Sequence, residues 1–407
     1  MQNLSTRCVI AGGGPGGIML GYLLARSGID VVVLEKWPDF FRDFRGDTIH
    51  PSTMQNLHEL GLLEKFLKLP HQKTRRMTLK IGEEDVTVAD FEHVRTRCPY
   101  IAFIPQWDFL NFIAGEAKQY PSFNLLMHTE AMNLIEEGGR VVGVKAQGPD
   151  GPIDIRAELV IGADGRHSTL REKSGLTCVK SGVPIDVLWF RLSASGKDPE
   201  QSFGYVDEGK ALVTLDRGDY WQCALIIAKG DFEHIKNDGL EKFRMMIARL
   251  APSFSNAVRE LTDWEKVKFL SVTIDHLTKW HKPGLLFIGD AAHAMSPMGG
   301  VGINLAVQDA VAAANILVPA FKKGTPAEAD SAAVQRRRWF PTRMTQRLQV
   351  FMQDRFLQPY LHSAAHIRRA PWQLHLLARI PLLRAIPARI VGIGFRPEHV
   401  KIFENNM

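Results

Sequence analysis

The sequence predicts an α/β fold in which a lobe of parallel βαβ type is interleaved along the chain with an antiparallel-sheet lobe, followed by a helical C-terminus. Three observations carry this. A short apolar run, a glycine-rich turn, a helix-spaced apolar stretch and a second apolar run follow one another within residues 8–34. From about 183 to 275 the pattern changes to short alternating segments. A second glycine-rich stretch at 289–304 again follows an apolar run, and helical spacing dominates beyond it. Such a change of pattern argues for two lobes, and 407 residues exceed one small core.

The first element, Cys8-Val9-Ile10-Ala11, reads as a buried strand running into Gly12-x-Gly14-x-x-Gly17. Residues 18–25 have helical apolar spacing, Gly28 ends that helix, and Val31-Val32-Val33-Leu34 is a second strand ending in Glu35 and Lys36. Gly12 permits the tight turn, Gly14 lets backbone approach a pyrophosphate, and Gly17 lets helix and strand pack closely. The helix N-terminus then faces the phosphates, and Glu35 can accept hydrogen bonds from ribose hydroxyls. A Rossmann-like dinucleotide site follows, with Gly12, Gly14, Pro15, Gly17, Glu35 and Lys36 as candidate contacts. This loop alone does not separate NAD from FAD.

Further along, Arg42 to Asp47 form a polar turn and a helix is expected from about Pro51 to Leu67. Residues 76–95 alternate as a hairpin would. Gln106 opens another helix, and Phe123 to Met127 and Val141 to Val144 are expected strands around a Gly138-Gly139 turn. Glu158 to Gly162 is a strand ending at Asp164-Gly165, a helical insert occupies roughly 239–250, and Leu285 to Ile288 is a buried strand. The expected division is a discontinuous cofactor-binding domain at 1–75, 98–182 and 277–345, a substrate-binding sheet domain at 76–97 and 183–276, and a C-terminal helical segment at 346–407.

Composition narrows the class. Hydrophobic content of 45% and charged content of 23% are ordinary for a globular protein. Cys8, Cys98, Cys178 and Cys223 are scattered without a CxxC pair, so reduced thiols are expected, with no disulfide framework and no metal site. No basic-then-apolar signal opens the sequence and no uninterrupted apolar run reaches the ~18 residues of a bilayer span. The expectation is therefore a cytoplasmic protein. A formal net charge of +6 is dispersed and accompanied by no nucleic-acid motif, so nucleic acid is not an expected partner.

Three motifs in order (Gly12 to Gly17, Asp164-Gly165-Arg166-His167-Ser168-Thr169-Leu170-Arg171, and Gly289-Asp290 followed by Pro297 and the loop to Asn304) make the chain resemble the FAD-dependent aromatic hydroxylases. These are single-component flavin monooxygenases sharing the para-hydroxybenzoate hydroxylase fold. The resemblance covers about residues 5–345. It implies bound FAD, with Asp164 in the DG motif, Asp290 on the ribityl chain, and Pro297, Gly299, Gly300, Gly302, Ile303 and Asn304 along the isoalloxazine ring. It also implies cofactor roles for Arg45 near the pyrophosphate, Gln106 beside the flavin chain and Ala131 at the adenine. Without a second GxGxxG, NAD(P)H would dock transiently, and Arg166, His167 and Arg171 are candidate phosphate contacts.

The resemblance implies NAD(P)H-dependent hydroxylation of an aromatic or polyketide-like small molecule, with O₂ as co-substrate and a flavin C4a-hydroperoxide as oxygen donor. Asp47 and His50 are the catalytic candidates for activating a phenol. Trp189, Phe190, Phe203, Tyr205 and Trp221 could wall the substrate pocket. The alternative is a related flavoprotein reductase or dehydrogenase acting on a lipophilic, prenyl or quinone-like substrate without oxygen insertion. Halogenation is disfavoured because the Trp-x-Trp-x-Ile motif is missing. Residues 372–396 form short amphipathic pieces with interspersed arginines. They either cover the core or a dimer mate, or make peripheral membrane contact to admit a lipophilic substrate. A monomer or homodimer is expected.

Overall fold

The computed structural model describes residues 2–41, 48–194, 204–357, 367 and 369–401. β1 (Gln2–Ala11) runs into α1 (Pro15–Arg26), and β2 (Val31–Leu34) returns parallel to β1 with Val31 opposite Cys8. β3 (Thr48–Ile49) precedes α2 (Pro51–Glu59) and α3 (Leu63–Phe66). The single helix expected over 51–67 is thus two pieces. Gly61, at φ +75°, breaks it in a conformation that glycine adopts without a Cβ penalty.

β4 (Gln72–Thr74) leads to the expected hairpin, β5 (Arg76–Ile81) and β6 (Glu84–Asp90). β7 (Ile101–Phe103) pairs with β3 and β4, and α4 (Gln106–Ala117) begins at Gln106. β8 (Phe123–Leu126) pairs parallel with β2, while β9 (Glu130–Glu137) and β10 (Arg140–Gly148) flank the Gly138-Gly139 turn. That corrects the expected pairing of 123–127 across this turn. β9 was hidden because its sequence, Glu-Ala-Met-Asn-Leu-Ile-Glu-Glu, is mostly polar.

β11 (Gly151–Gly162) lies parallel to β1 and continues into α5 (Thr169–Ser174). β12 (Cys178–Ser181) leads to the second lobe: β13 (Ile185–Ser193), β14 (Gly204–Asp207), β15 (Lys210–Asp216) and β16 (Tyr220–Ala228). α6 (Phe232–Asp238) and α7 (Leu240–Leu250) follow, then β17 (Lys268–Ser271) and β18 (Ile274–Leu277), the latter paired with β12. β19 (His281–Lys282) and β20 (Leu285–Phe287) return the chain to the first sheet beside β11.

Two sheets therefore dominate. The first runs β19-β20-β11-β1-β2-β8, with β10 and β9 joined through β11; the second runs β17-β13-β16-β15-β14-β5-β6. The hairpin at 76–90 thus completes the edge of the second sheet, although it precedes most of the first sheet in sequence.

α8 (Gly302–Lys323) and α9 (Glu328–Met352) pack together, and α9 passes through residue 345, where a boundary was expected. The helical stretch Met298–Lys323 has mean hydropathy 1.6 and alone, among the described residues, is long and apolar enough to cross a membrane. Its most apolar window is 78% buried inside the protein, which marks a core helix. α10 (Trp372–Arg379) and α11 (Pro381–Gly392) close the chain's helical part.

Candidate active site

The two glycine stretches, far apart in sequence, meet at Ala306 in the second turn of α8. A Cβ on Gly16 would touch Ala306 O at 3.2 Å, and one on Gly289 would touch Ala306 Cβ at 3.2 Å. The middle motif joins them: a side chain at Gly12, whose φ is +109°, would strike the backbone of Ala163 and Asp164. A side chain at Gly17 would strike the Gly12 carbonyl, so the turn closes only with glycine there.

Gly14 is different. It has φ −70° and ψ −179°, extended backbone that any residue adopts, and no atom lies within 4 Å of where its Cβ would stand. Gly302, at the first position of α8, likewise faces open space. Neither helix start has an acidic residue in its first turn or a side-chain cap. Two uncapped helix N-termini with glycine against open space form a cradle for anionic groups from outside the chain.

The polar groups around this cradle fit an adenine dinucleotide. Glu35, buried at the end of β2, accepts from Gly13 N at 3.1 Å and Trp37 N at 3.1 Å, which fixes its carboxylate at the loop. Lys36 lies on the surface, 3.8 Å from Glu130. Asp290 pairs with Arg166 at 3.3 Å, and Nη1 of Arg166 is buried without a partner among the described residues. A buried unpartnered guanidinium nitrogen suits an anionic ligand. Asp164 is occupied differently: it accepts Ser168 Oγ at 2.5 Å and Leu170 N at 3.1 Å, fastening the start of α5. Burial raises its pKa above the ordinary value despite those bonds. His167 stands exposed, whereas Arg171 is engaged with Asp275 at 3.2 Å. Gln106 opens α4 half-buried, and Ala131 is buried in β9 opposite Ala146.

The loop after Pro297 turns through Gly299 and Gly300 at φ +79° and +63°. Gly300 O accepts Thr48 Oγ1 at 2.8 Å, and a side chain at 300 would strike that threonine. Asn304 ties the same parts: its Oδ1 accepts His50 N at 2.9 Å and Thr53 Oγ1 at 2.7 Å, and its Nδ2 donates to Thr48 O at 3.2 Å. Ile303 is buried beside it. Asn304 therefore braces the flavin loop against the 48–53 segment with its whole amide. Arg45 and Asp47 lie outside the described residues.

His50 stands fully buried at the N-cap position of α2, with Nδ1 2.7 Å from Val391 O of α11 and Nε2 buried without a partner among the described residues. Burial lowers its pKa from 6.5 to about 4. At neutral pH it is thus an uncharged imidazole that donates to Val391 O and offers Nε2 as an acceptor. The unfolded chain binds a proton here below about 6.5 while the folded one resists until about 4, so stability is lost as pH falls through that window. His50→Gln should flatten urea-unfolding stability between pH 6.5 and 4.5 by up to about 2–3 kcal/mol relative to the wild type. Parallel pH curves for the two proteins would contradict this burial.

Strand alternation decides which aromatics reach the site. Phe190, Tyr205 and Trp221 belong to the core between the second sheet and α7, where Phe190 meets Phe243 at 5.7 Å and Trp221 meets Phe254 at 5.5 Å. This corrects their expected place in the pocket wall: even-numbered positions of β13 face α7, odd-numbered ones the other way. Phe203 lies outside the described residues. Trp189 and Val213 are on the opposite face and belong to two clusters, one with Met298 and Val350, the other with Phe103 and Val391. The indole Nε1 of Trp189 is buried without a partner among the described residues.

One charged group escaped the sequence reading. Asp309, fully buried in α8, accepts from Gly289 N at 3.0 Å, contacts His293 Nε2 at 2.5 Å and accepts from Arg338 Nε at 2.8 Å. Arg338, 2% exposed, also reaches Glu398 at 3.5 Å. The turn carrying Asp290 is therefore anchored from behind through α8 and α9. An acid within an apolar helical run was the available signal, since such a charge must be paired.

Two uncapped helix N-termini beside a buried carboxylate at the end of β2 fit a dinucleotide-binding protein. The family model described as FAD binding domain matches residues 5–348. 6-Methylpretetramide 4-monooxygenase of Streptomyces rimosus is 31% identical over 387 residues, covering 94% of this chain and 91% of that protein. Para-nitrophenol 4-monooxygenase of Pseudomonas sp. (strain WBC-3) is 26% identical over 348 residues, covering 82% and 83%. Among solved structures, p-nitrophenol 4-monooxygenase PnpA of Pseudomonas putida DLL-E4 superposes with a TM-score of 0.74 at 20% identity, covering 95% and 97%. The chain belongs to the FAD-binding-domain family and, within it, to the FAD-dependent aromatic hydroxylases. It is an FAD-dependent monooxygenase.

Proposed function

We propose that this enzyme hydroxylates a planar, largely apolar aromatic or polyketide-like molecule held between the 297–302 loop and the odd-numbered face of the second sheet. The observation that carries this reading is Trp189, which packs with the cluster containing Met298 and leaves its indole N–H buried and unpartnered among the described residues. A planar ring bearing one oxygen suits that wall: apolar surface for the ring and one donor for the oxygen. The monooxygenases acting on 6-methylpretetramide and para-nitrophenol, substrates of this kind, support it.

FAD, reduced by NAD(P)H, would supply the activation of O₂. The chain's residues do the rest. The N-termini of α1 and α8 would hold negative charge on the cofactor, Glu35 fixes the loop that would grip it, and Asp290 is held in place by Arg166 and the Gly289 turn. Trp189 and Val213 exclude water from the reacting face. Asp47 remains our candidate for drawing a proton from a phenol, and His50 contributes a neutral acceptor at Nε2. The free thiols at Cys8, Cys98, Cys178 and Cys223 support a reducing, cytoplasmic setting.

Screening phenols, quinolones and polyketide aromatics for accelerated NAD(P)H oxidation, with product analysis to exclude futile peroxide release, tests the proposal. A hydroxylated product from a planar aromatic is expected; acceleration only by prenyl or quinone-like substrates, without hydroxylation, would favour the reductase alternative. For the substrate so found, Trp189→Phe should raise KM about 5- to 10-fold, the effect of one lost hydrogen bond, with FAD content unchanged. An unaltered KM would remove the indole from the site.

A further inference from the structure

α10 and α11 are committed on one side only. Leu374 and Ala378 pack against Ile81 and Val86 of the β5–β6 hairpin, and Ala388 packs with Phe91. Their other side carries Trp372, Leu376 and Ile380 along one helix and Leu382 and Ile386 along the next, each row at four-residue spacing. Leu382 is 76% exposed, Trp372 70% and Ile386 54%. Arg379 and Arg389 stand exposed beside these rows.

Residues 372–392, which form the two helices, contain Arg379, Arg384 and Arg389 and neither aspartate nor glutamate, and Glu84 of β6 stands beside them 3.2 Å from His375. We propose that the outer face of α10–α11 docks peripherally on an anionic lipid bilayer. Helices of 8 and 12 residues are too short to span a bilayer, which takes ~20 residues, but suit burial in the plane of the headgroups. Trp372 sits well at such an interface, and arginine stems reach back to lipid phosphates. A second copy of this chain fits the face less well, because the exposed Arg379 and Arg389 of two such faces would repel one another.

The docking face also lies against the site. The inner side of α11 brings Val391 to within 3.8 Å of where a Gly299 side chain would stand, and its carbonyl is held by His50. A lipophilic substrate dissolved in the bilayer would thus reach the protein one helix away from the flavin loop. That consequence rests on the hydroxylase reading; the docking itself does not.

Flotation of the full-length FAD-loaded protein with phosphatidylglycerol–phosphatidylcholine vesicles tests the proposal without any turnover. The protein should float with anionic vesicles at low salt, much less with pure phosphatidylcholine, and release as salt rises. Leu382→Glu/Ile386→Glu and Arg379→Gln/Arg389→Gln should each lower the partition coefficient at least tenfold, with FAD content and melting temperature unchanged. Failure of the wild-type protein to float at low salt would overturn the proposal. So would binding by both variants that equals the wild type's, or a solution dimer that the Leu382→Glu/Ile386→Glu variant dissociates. NAD(P)H oxidation with a soluble aromatic substrate, measured separately, reports on the hydroxylase reading alone.

Discussion

Asp309→Ala should cost about 3–5 kcal/mol of folding stability, the scale for breaking a buried ion pair from one side. The reason is what it leaves behind. Arg338 would keep a buried charge with only the distant Glu398 contact, and Gly289 N would lose its acceptor. His293 would lose its partner as well. Since Gly289 opens the turn that carries Asp290, FAD affinity should fall along with stability. Urea unfolding with and without FAD measures both. A loss below about 1 kcal/mol would show that the pair is solvated rather than buried. The pH dependence has a definite sign. Burial raises the Asp309 carboxyl, but His293 and Arg338 outweigh it and bring it below its ordinary 3.8. Its contribution is therefore full above that value and lost as pH falls below it.

Gly14→Val should weaken FAD binding about 100-fold, some 2.7 kcal/mol, while the cofactor-free protein keeps its fold. The chain itself makes no demand for glycine here: the backbone is extended and the Cβ position is open. A valine would fill the space directly before the N-terminus of α1, where a pyrophosphate would sit. Gly17→Val makes the contrast, because that side chain strikes the Gly12 carbonyl and should destabilise the protein even without cofactor. FAD titration monitored by flavin fluorescence, together with thermal melts of the stripped proteins, separates the two. Unchanged FAD affinity in Gly14→Val would remove the α1 N-terminus from the cofactor site.

What was legible in the sequence was local. The turn from β1 to α1, the acid at the end of β2 and the Gly289 to Asn304 loop each depend on neighbours within about 20 residues, so spacing alone expresses their geometry. The phase of a strand against a distant element is not local. Trp189 and Phe190 are adjacent and equally aromatic, yet one packs on the cluster that Met298 also joins and the other against Phe243 of α7. Only knowledge of which side of β13 meets the flavin loop separates them. Asn304 shows a related limit: its motif position suggested the ring, while its amide is spent on His50, Thr53 and Thr48. The seat of α11 over His50 joins residues 341 positions apart, and no pattern in either segment announces it.

Insertion of one oxygen atom from O₂ into an aromatic substrate is tested most directly by running the FAD-loaded enzyme with NAD(P)H, an aromatic substrate found by screening, and ¹⁸O₂ in unlabelled water, then weighing the product. One ¹⁸O atom per product molecule is the expected result. A product that gains no label, formed with NAD(P)H consumed, would contradict oxygen insertion and favour a reductase or dehydrogenase on the same fold.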